Sequence, residues 1–406
     1  MKPKLYLPFV AAILVAVPGI VIRLLGIHLY PPTVAFVSGT AILGASFLLL
    51  WACDVIQADI SQSLALAVVA LIAVLPEYAV DMYFTWEAGK FPESDYAQYA
   101  VANMTGANRL LIGVGWATVV LVYWARFRRQ VEMEQERRTE LLFLGMATAY
   151  AFLLPIKGTL AWYDGCVFIG IYVWYISIAA RRPVSESEVE GPALLIFQLP
   201  RFHRRAATAL LFLFAAGTIL ANAEPFCEGL VATGKILHIK EFLLVQWLAP
   251  IASETPEFVL ALMFALRGQA GMALGSLLSS KLNQWTLLVG MIPGVFAVSH
   301  GSLDHPLPMG HFQMQEILLT AAQSLMAVAL LASLRISIGG ACLLFALFAG
   351  QLMLPELVPQ LPDLGLGLTP ELIHPMFTAI YVVVTAVIFL RRPGSIVGLF
   401  QGVKRN

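Results

Sequence analysis

The chain has 406 residues, of which 59% are hydrophobic and only 12% charged, with a mean hydropathy of +0.80. A soluble protein carries about twice that charged fraction, and a formal net charge of zero excludes nucleic-acid binding driven by bulk charge. Apolar runs of roughly 20 residues, the length that crosses a bilayer as a helix, recur from end to end, so the predicted fold class is an all-α polytopic membrane protein.

Charged and Pro/Gly-rich breaks divide the sequence into twelve spans at approximately 5–28, 33–55, 61–87, 96–125, 139–157, 160–181, 205–236, 239–267, 270–299, 310–334, 337–357 and 371–392. The first follows MKPK and contains Arg23. It is too long for the apolar core of a signal peptide and reads as a retained span. Placing the N-terminus in the cytoplasm puts Lys2, Lys4, the five arginines of 126–138, the five of 181–205, Arg267, Arg335, Arg391, Arg392, Lys404 and Arg405 inside. Only Lys90, Lys157, Lys235 and Lys240 then lie outside. That bias predicts both termini in the cytoplasm. Cys53, Cys166, Cys227 and Cys342 show no metal-like spacing and read as fillers of apolar helices.

An internal repeat runs through the spans. VLPEYAVDMYF (74–84) aligns with ETPEFVLALMF (254–264) at an offset of 180, and ANMTGANRLL (102–111) with GSLLSSKLNQ (275–284) at an offset of 173. Equivalent helices lie five spans apart, an odd number, so the two halves have opposite orientation. Inverted repeats of this kind characterise secondary transporters. The expected organisation is an extra N-terminal helix (1–32), a first five-helix repeat (33–181), an interfacial linker (182–204), an inverted second repeat (205–360), and an extra C-terminal helix and tail (361–406).

Both copies carry a proline and acids at membrane depth. Pro76 and Pro256 lack an amide hydrogen, so the carbonyls of Ile72 and Ala252 lose their helical partners. Freed carbonyls beside a carboxylate are suitable ligands for a hard cation. Glu77 and Asp81 (i, i+4) share a helix face, as do Glu254 and Glu257 (i, i+3). Each charge facing lipid at the bilayer centre would cost about 2.5–3.5 kcal/mol even on a lenient scale. These acids must therefore meet each other, a base, a proton or an ion. Ordinary proline kinks with acids paired to Lys281 and Arg109 are the alternative, which leaves the duplication unexplained. Ser276, Ser279, Ser280, Asn283 and Gln284 on the ninth span, and Asn103, Thr105 and Asn108 on the fourth, either complete an ion's shell or allow close helix packing.

With these motifs the chain resembles the calcium/cation antiporter superfamily, whose repeats each carry a G-T-S-x-P-E-like helix followed by one reading roughly G-N-x-x-G-S-N-x-x-N/D. Here the first is AVLPE (73–77) and SETPE (253–257), the second ANMTGANRLL and GSLLSSKLNQ, and ANAEPFCEGL (221–230), upstream of the second PE, looks like the family's entry helix with its E-G pair. The resemblance implies Glu77 and Glu257 as central cation-binding carboxylates and Ser253 and Ser280 as hydroxyl ligands, while Asn103, Asn108 and Gln284 occupy polar positions of the second motif. Several positions depart from that pattern. Ala73 and Val74 replace hydroxyls, Ala107 a serine and Leu111 a polar residue; Glu254 stands at a serine position, Asp81 is an added acid and Lys281 occupies an asparagine position. Lys281 either tunes the site and couples it to protons or snorkels to the cytoplasmic face. Arg109 calls for a structural partner such as Glu228 or Asp54.

The functional expectation is a secondary cation antiporter working by alternating access, with the site between the third, fourth, eighth and ninth spans. Sodium- or proton-coupled calcium exchange and monovalent cation/proton exchange both fit. Glu77 and Glu257 bind the ion, Asp81 and Glu254 set charge and carry protons, and Lys281 couples. The expected partners are inorganic cations (Ca2+, Na+ or H+) and the lipid bilayer; no cofactor, enzymatic activity or ATP-binding loop is expected, and the oligomeric state stays open. The expected location is a prokaryotic plasma membrane. The competing reading is a transport-inactive scaffold or receptor that retains the fold, motivated by the lost hydroxyls and by Lys281 and Arg109. Weaker signals are His300, Asp304, His305 and His311 in a loop that suits metal capture or plain solvation. Glu224 and Glu228 flank Pro225, where they line a vestibule or cap a broken helix.

Overall fold

The computed structural model describes residues 3–57, 59, 74–181, 189, 191–358, 369–394 and 398–399. Among the described residues, eleven helices are long and apolar enough to cross a membrane. They correspond to every predicted span except the third, of which only Leu75–Lys90 is described. Two compact units emerge, Met1–Glu87 with Ile176–Pro256, and Ala88–Tyr175 with Glu257–Asn406. Each unit draws on both repeats.

The first unit is built on α1 (Pro3–Leu25) and α2 (Pro31–Gln57), with the start of α3 (Leu75–Lys90). Past α4 (Tyr96–Leu110), α5 (Ala117–Phe127), α6 (Arg137–Ala151), α7 (Leu154–Lys157) and α8 (Trp162–Ala179) come this unit's remaining helices, α9 (Leu194–Phe197), α10 (Arg201–Leu237) and α11 (Glu241–Leu266) through Pro256. Small residues bring its backbones together. A Cβ on Gly44 would lie 2.6 Å from the Ala12 carbonyl oxygen, and one on Gly229 would lie 2.8 Å from the Ala35 nitrogen. Ala45, Leu48, Leu49 and Ala52 of α2 pack with Leu211, Ala215 and Ile219 of α10, and Ala193 and Ile196 of the linker join that core. Helix α10 has 37 residues, about 55 Å at 1.5 Å per residue, well beyond a hydrocarbon core of about 30 Å. Its basic first turns therefore have room to stand at the interface. Pro225 lies inside this helix without ending it, so Glu224 and Glu228 do not cap a break. Glu224 pairs instead with Arg23 at 2.5 Å, and Glu228 accepts a hydrogen bond from Tyr83 at 2.7 Å.

The second unit holds α4 to α8 with the rest of α11, then α12 (Ala270–Asn283), α13 (Val289–His300), α14 (His311–Leu331), α15 (Ile338–Leu357) and α16 (Pro370–Arg391). Two short antiparallel ribbons tie its loops. The strand after α5 pairs with the one after α14, Val131 opposite Ile336 and Glu132 opposite Arg335. The strand before α8 pairs with the one before α14, Thr159 opposite Pro308 and Leu160 opposite Leu307. Exchanging the two repeats converts one ribbon into the other, as an inverted duplication requires. Of the loop histidines, His300, which stacks on Phe296, and His305, beside Ser302 at 3.3 Å, meet ring to ring at 4.8 Å, but among the described residues no three His, Cys, Asp or Glu side chains form a metal group.

Candidate cation site

In the first unit Pro76, Glu77 and Asp81 lie on α3, with Glu77 and Asp81 at 1% and 0% exposure. Ile72 lies outside the described residues. Glu254, fully buried, and Ser253 sit on α11 between Pro250 and Pro256. The Ser253 hydroxyl donates to the carbonyls of Ala249 and Pro250, both at 3.3 Å, and the Thr255 hydroxyl donates to Ile251. Because Pro256 offers no N–H, the Ala252 carbonyl is released from the helical ladder. Three carboxylates are thus withdrawn from the surface of this unit, each on a helix with proline close by.

In the second unit Glu257 is half-buried and accepts a hydrogen bond from the Ser280 hydroxyl, joining α11 to α12. The next residue, Phe258, packs on Gly115, where a Cβ would approach its ring to 2.8 Å. Gly113 likewise admits Phe348, which a Cβ would meet at 2.3 Å. Asn103, Asn283 and Gln284 are buried, at 2%, 3% and 0% exposure. Ser279 serves a different cluster, donating to Glu140 at 3.1 Å while accepting from Arg137 at 3.4 Å.

Lys281 is completely buried, so it does not snorkel. Its ammonium donates to Asn108 Oδ1 at 2.6 Å and lies 4.4 Å from the centre of the Trp285 ring, a cation–π contact. The Asn108 amide nitrogen donates to the Met104 carbonyl at 2.7 Å. Asn108 is thereby oriented with its oxygen toward an ammonium, the position in which that oxygen could otherwise face a cation. Arg109, for which a partner such as Glu228 or Asp54 was expected, pairs with Glu316 of α14, with both side chains at 1% exposure, and His374 of α16 lies 3.3 Å from the other oxygen of Glu316. Sequence reasoning missed Glu316 and His374. A lone acid inside the tenth span was the available signal, since a charge there needs a partner.

A second missed feature concerns backbone register. The fourth-span helix changes to π-helical hydrogen bonding at Leu111–Trp116, and the ninth-span helix at Gln284–Leu288. Leu111 and Gln284 are separated by the 173 residues that align the second motif. The wider turn begins where that motif ends in both repeats. π-segments inside α-helices concentrate at functional sites, and apolar periodicity gives no signal of them.

Buried carboxylates beside helix-interrupting prolines, on helices duplicated in inverted order, define a membrane transporter of the secondary, ion-coupled class. The sequence profile of the family described as sodium/calcium exchanger protein matches residues 31–181 and 207–355. The chain belongs to that family of cation antiporters. A crystal structure of the H+/Ca2+ exchanger CAX is 40% identical, with a TM-score of 0.90 over 99% of this chain and 98% of that one. A structure of the sodium-calcium exchanger NCX_Mj, soaked with Na+ and Sr2+, shares the fold at 18% identity and a TM-score of 0.52, over 79% of this chain and 96% of that one. A curated protein named "Putative antiporter CaxA", from Alkalimonas amylolytica, is 25% identical over 296 residues, covering 71% of this chain and 85% of that protein.

Proposed function

We propose that this antiporter exchanges protons for calcium, with Glu77 and Glu257 as the ion-binding carboxylates. The observation that carries the choice of ions is the near-full-length likeness to the H+/Ca2+ exchanger CAX, against a likeness of fold alone to the sodium-coupled protein. Carboxylates suit both ions, because a protonated Glu is neutral and releases a divalent cation, while an ionised one binds it. Asp81 and Glu254 set the local charge and carry protons. Ser253, Ser280, Asn103, Asn283, Gln284 and the carbonyls of Ile72 and Ala252 fill the shell as neutral oxygen ligands. Asn108 joins them only when Lys281 withdraws. Lys281 thus acts as an internal competitor whose movement couples binding to charge. The repeats at 33–181 and 205–360, both termini in the cytoplasm and a prokaryotic plasma membrane complete the reading.

The test is calcium-45 uptake into proteoliposomes under an imposed pH gradient, with sodium-22 flux measured in parallel. Uptake that follows the pH gradient and disappears in Glu77→Gln and Glu257→Gln is the expected result. Folded protein that moves no calcium under any gradient would overturn the reading. Uptake driven by sodium alone would replace the proton with sodium.

A further inference from the structure

The loop joining α13 to α14 in the second unit carries histidines that lie outside the duplicated motifs. Helix α13 ends at His300, and Gly301 (φ +78°) turns the chain in the left-handed region that glycine adopts without strain. The Gly301 and Ser302 amides both donate to the Ala297 carbonyl, at 2.9 and 3.1 Å. At the other end of the loop Leu307 pairs with Leu160 in a β-ribbon. The turn is thus held on both sides, and it brings His305 back onto His300.

The His300 ring stacks on Phe296, one helical turn back, with an interplanar angle of 7°. Its Nδ1 lies 3.2 Å from the Gly89 carbonyl oxygen. A carbonyl only accepts, so Nδ1 carries the proton, and the neutral ring keeps its lone pair on Nε2. His305 Nδ1 faces the Ser302 hydroxyl at 3.3 Å. That oxygen also accepts from the Asp304 amide at 3.2 Å, and the same tautomer fits there. An imidazole with one nitrogen held by an oxygen partner is the form in which histidine ligates a metal through the other. The two ring centres are 4.8 Å apart and the planes are tilted by 54°. Two imidazoles on one tetrahedral ion, with metal–nitrogen bonds of about 2.0–2.1 Å, have their centres roughly 5 Å apart. An aromatic contact would account for the spacing but not for oxygen partners at both Nδ1 atoms. The carbonyl end of α13 adds the negative end of a helix dipole, which favours a cation. His311 is engaged by Gln315 at 3.3 Å and takes no part.

We infer that His300 and His305 together bind a divalent transition-metal ion of the zinc class, with water completing its shell. Imidazole nitrogens suit zinc, copper or nickel, whereas calcium takes oxygen ligands, so the site does not rest on the ions proposed above. The test is isothermal titration of zinc chloride into the full chain in detergent, freed of any affinity tag and held in excess calcium so that oxygen sites are filled. One zinc ion per chain is expected to bind. His300→Gln and His305→Gln each remove a ligand, and each should weaken binding by more than the roughly 10–100-fold that follows loss of an outer hydrogen-bond partner. His311→Gln should leave it unchanged. Elution and thermal unfolding establish that each variant folds; His305 is exposed, so its replacement keeps the test decisive if the His300 variant is unstable. No zinc binding by the parent, displacement of zinc by calcium, or unchanged affinity in either folded pair variant overturns the inference. Loss of zinc in His311→Gln also overturns it, because the ion would then sit elsewhere.

Discussion

Replacing Glu316 with Gln removes the charge facing Arg109 while conserving volume. Both side chains are 1% exposed, so the guanidinium left behind cannot reach water. Two unit charges about 4 Å apart interact by about 4 kcal/mol at an effective dielectric constant of 20. Breaking one partner of a buried pair measures about 3–5 kcal/mol, because the remaining charge stays desolvated. Glu316→Gln is therefore expected to lose stability in that range. Arg109→Gln should lose less, because Glu316 retains His374 at 3.3 Å. The double substitution Arg109→Gln with Glu316→Gln should recover a large part of the loss, since neither charge of the pair survives and the Gln323 side chain still donates to the Arg109 backbone carbonyl at 3.3 Å. Equilibrium unfolding in mixed detergent micelles, followed by tryptophan fluorescence and circular dichroism, gives the three values. A Glu316→Gln protein within about 0.5 kcal/mol of the parent, as for an ordinary surface substitution, would refute the burial argument. A double variant less stable than both single ones would refute the charge argument.

Other consequences are equally direct. Gly115→Ala pushes a methyl group toward Phe258, 2.8 Å away, and overpacking of this kind costs about 1–3 kcal/mol; since Phe258 adjoins Glu257, calcium uptake should fall more than stability does, as parallel flux and unfolding measurements would show. Lys281→Asn removes the ammonium on Asn108 and should raise divalent affinity and alter the pH profile of uptake, whereas an unchanged profile would remove Lys281 from coupling. Arg204 donates to both oxygens of Asp59 at 2.8 and 2.6 Å, and this hydrogen bonding holds the Asp59 carboxyl below the usual range. A depressed carboxyl stabilises above its unfolded pKa of about 3.9 and loses that contribution as pH falls through the folded value. The stability difference between the parent and Asp59→Asn should accordingly be constant near neutrality and shrink below the ordinary carboxylate range; a difference that grows on acidification would reverse the assignment.

Much of this protein was legible without coordinates, because bilayer physics is unforgiving. Uninterrupted apolar length, the scarcity of charge and the arginine bias define the spans, and a Pro-Glu pair recurring at membrane depth exposes the duplication. Burial of Glu77, Asp81 and Glu254 follows from the same reasoning, since a charged side chain at that depth has to turn away from lipid.

Pairing was not legible. Asn108 and Lys281 lie on helices far apart in sequence, and so do Arg109 and Glu316; spacing along one helix says which side chains share a face but not which distant helix they meet. The sequence left Lys281 between a coupling residue and a snorkelling one, and only packing around α4 and α12 decided that its ammonium stays inside. The π-segments were hidden for a related reason. A change from i→i+4 to i→i+5 bonding shifts register without changing composition, and it holds where neighbours fill the widened turn, as Phe258 and Phe348 do over Gly115 and Gly113. The amino-acid sequence by itself determined a duplicated, membrane-spanning antiporter with acids inside its helices. The tertiary structure decided which partners Lys281 and Arg109 meet, because that choice belongs to helix packing and not to any local pattern.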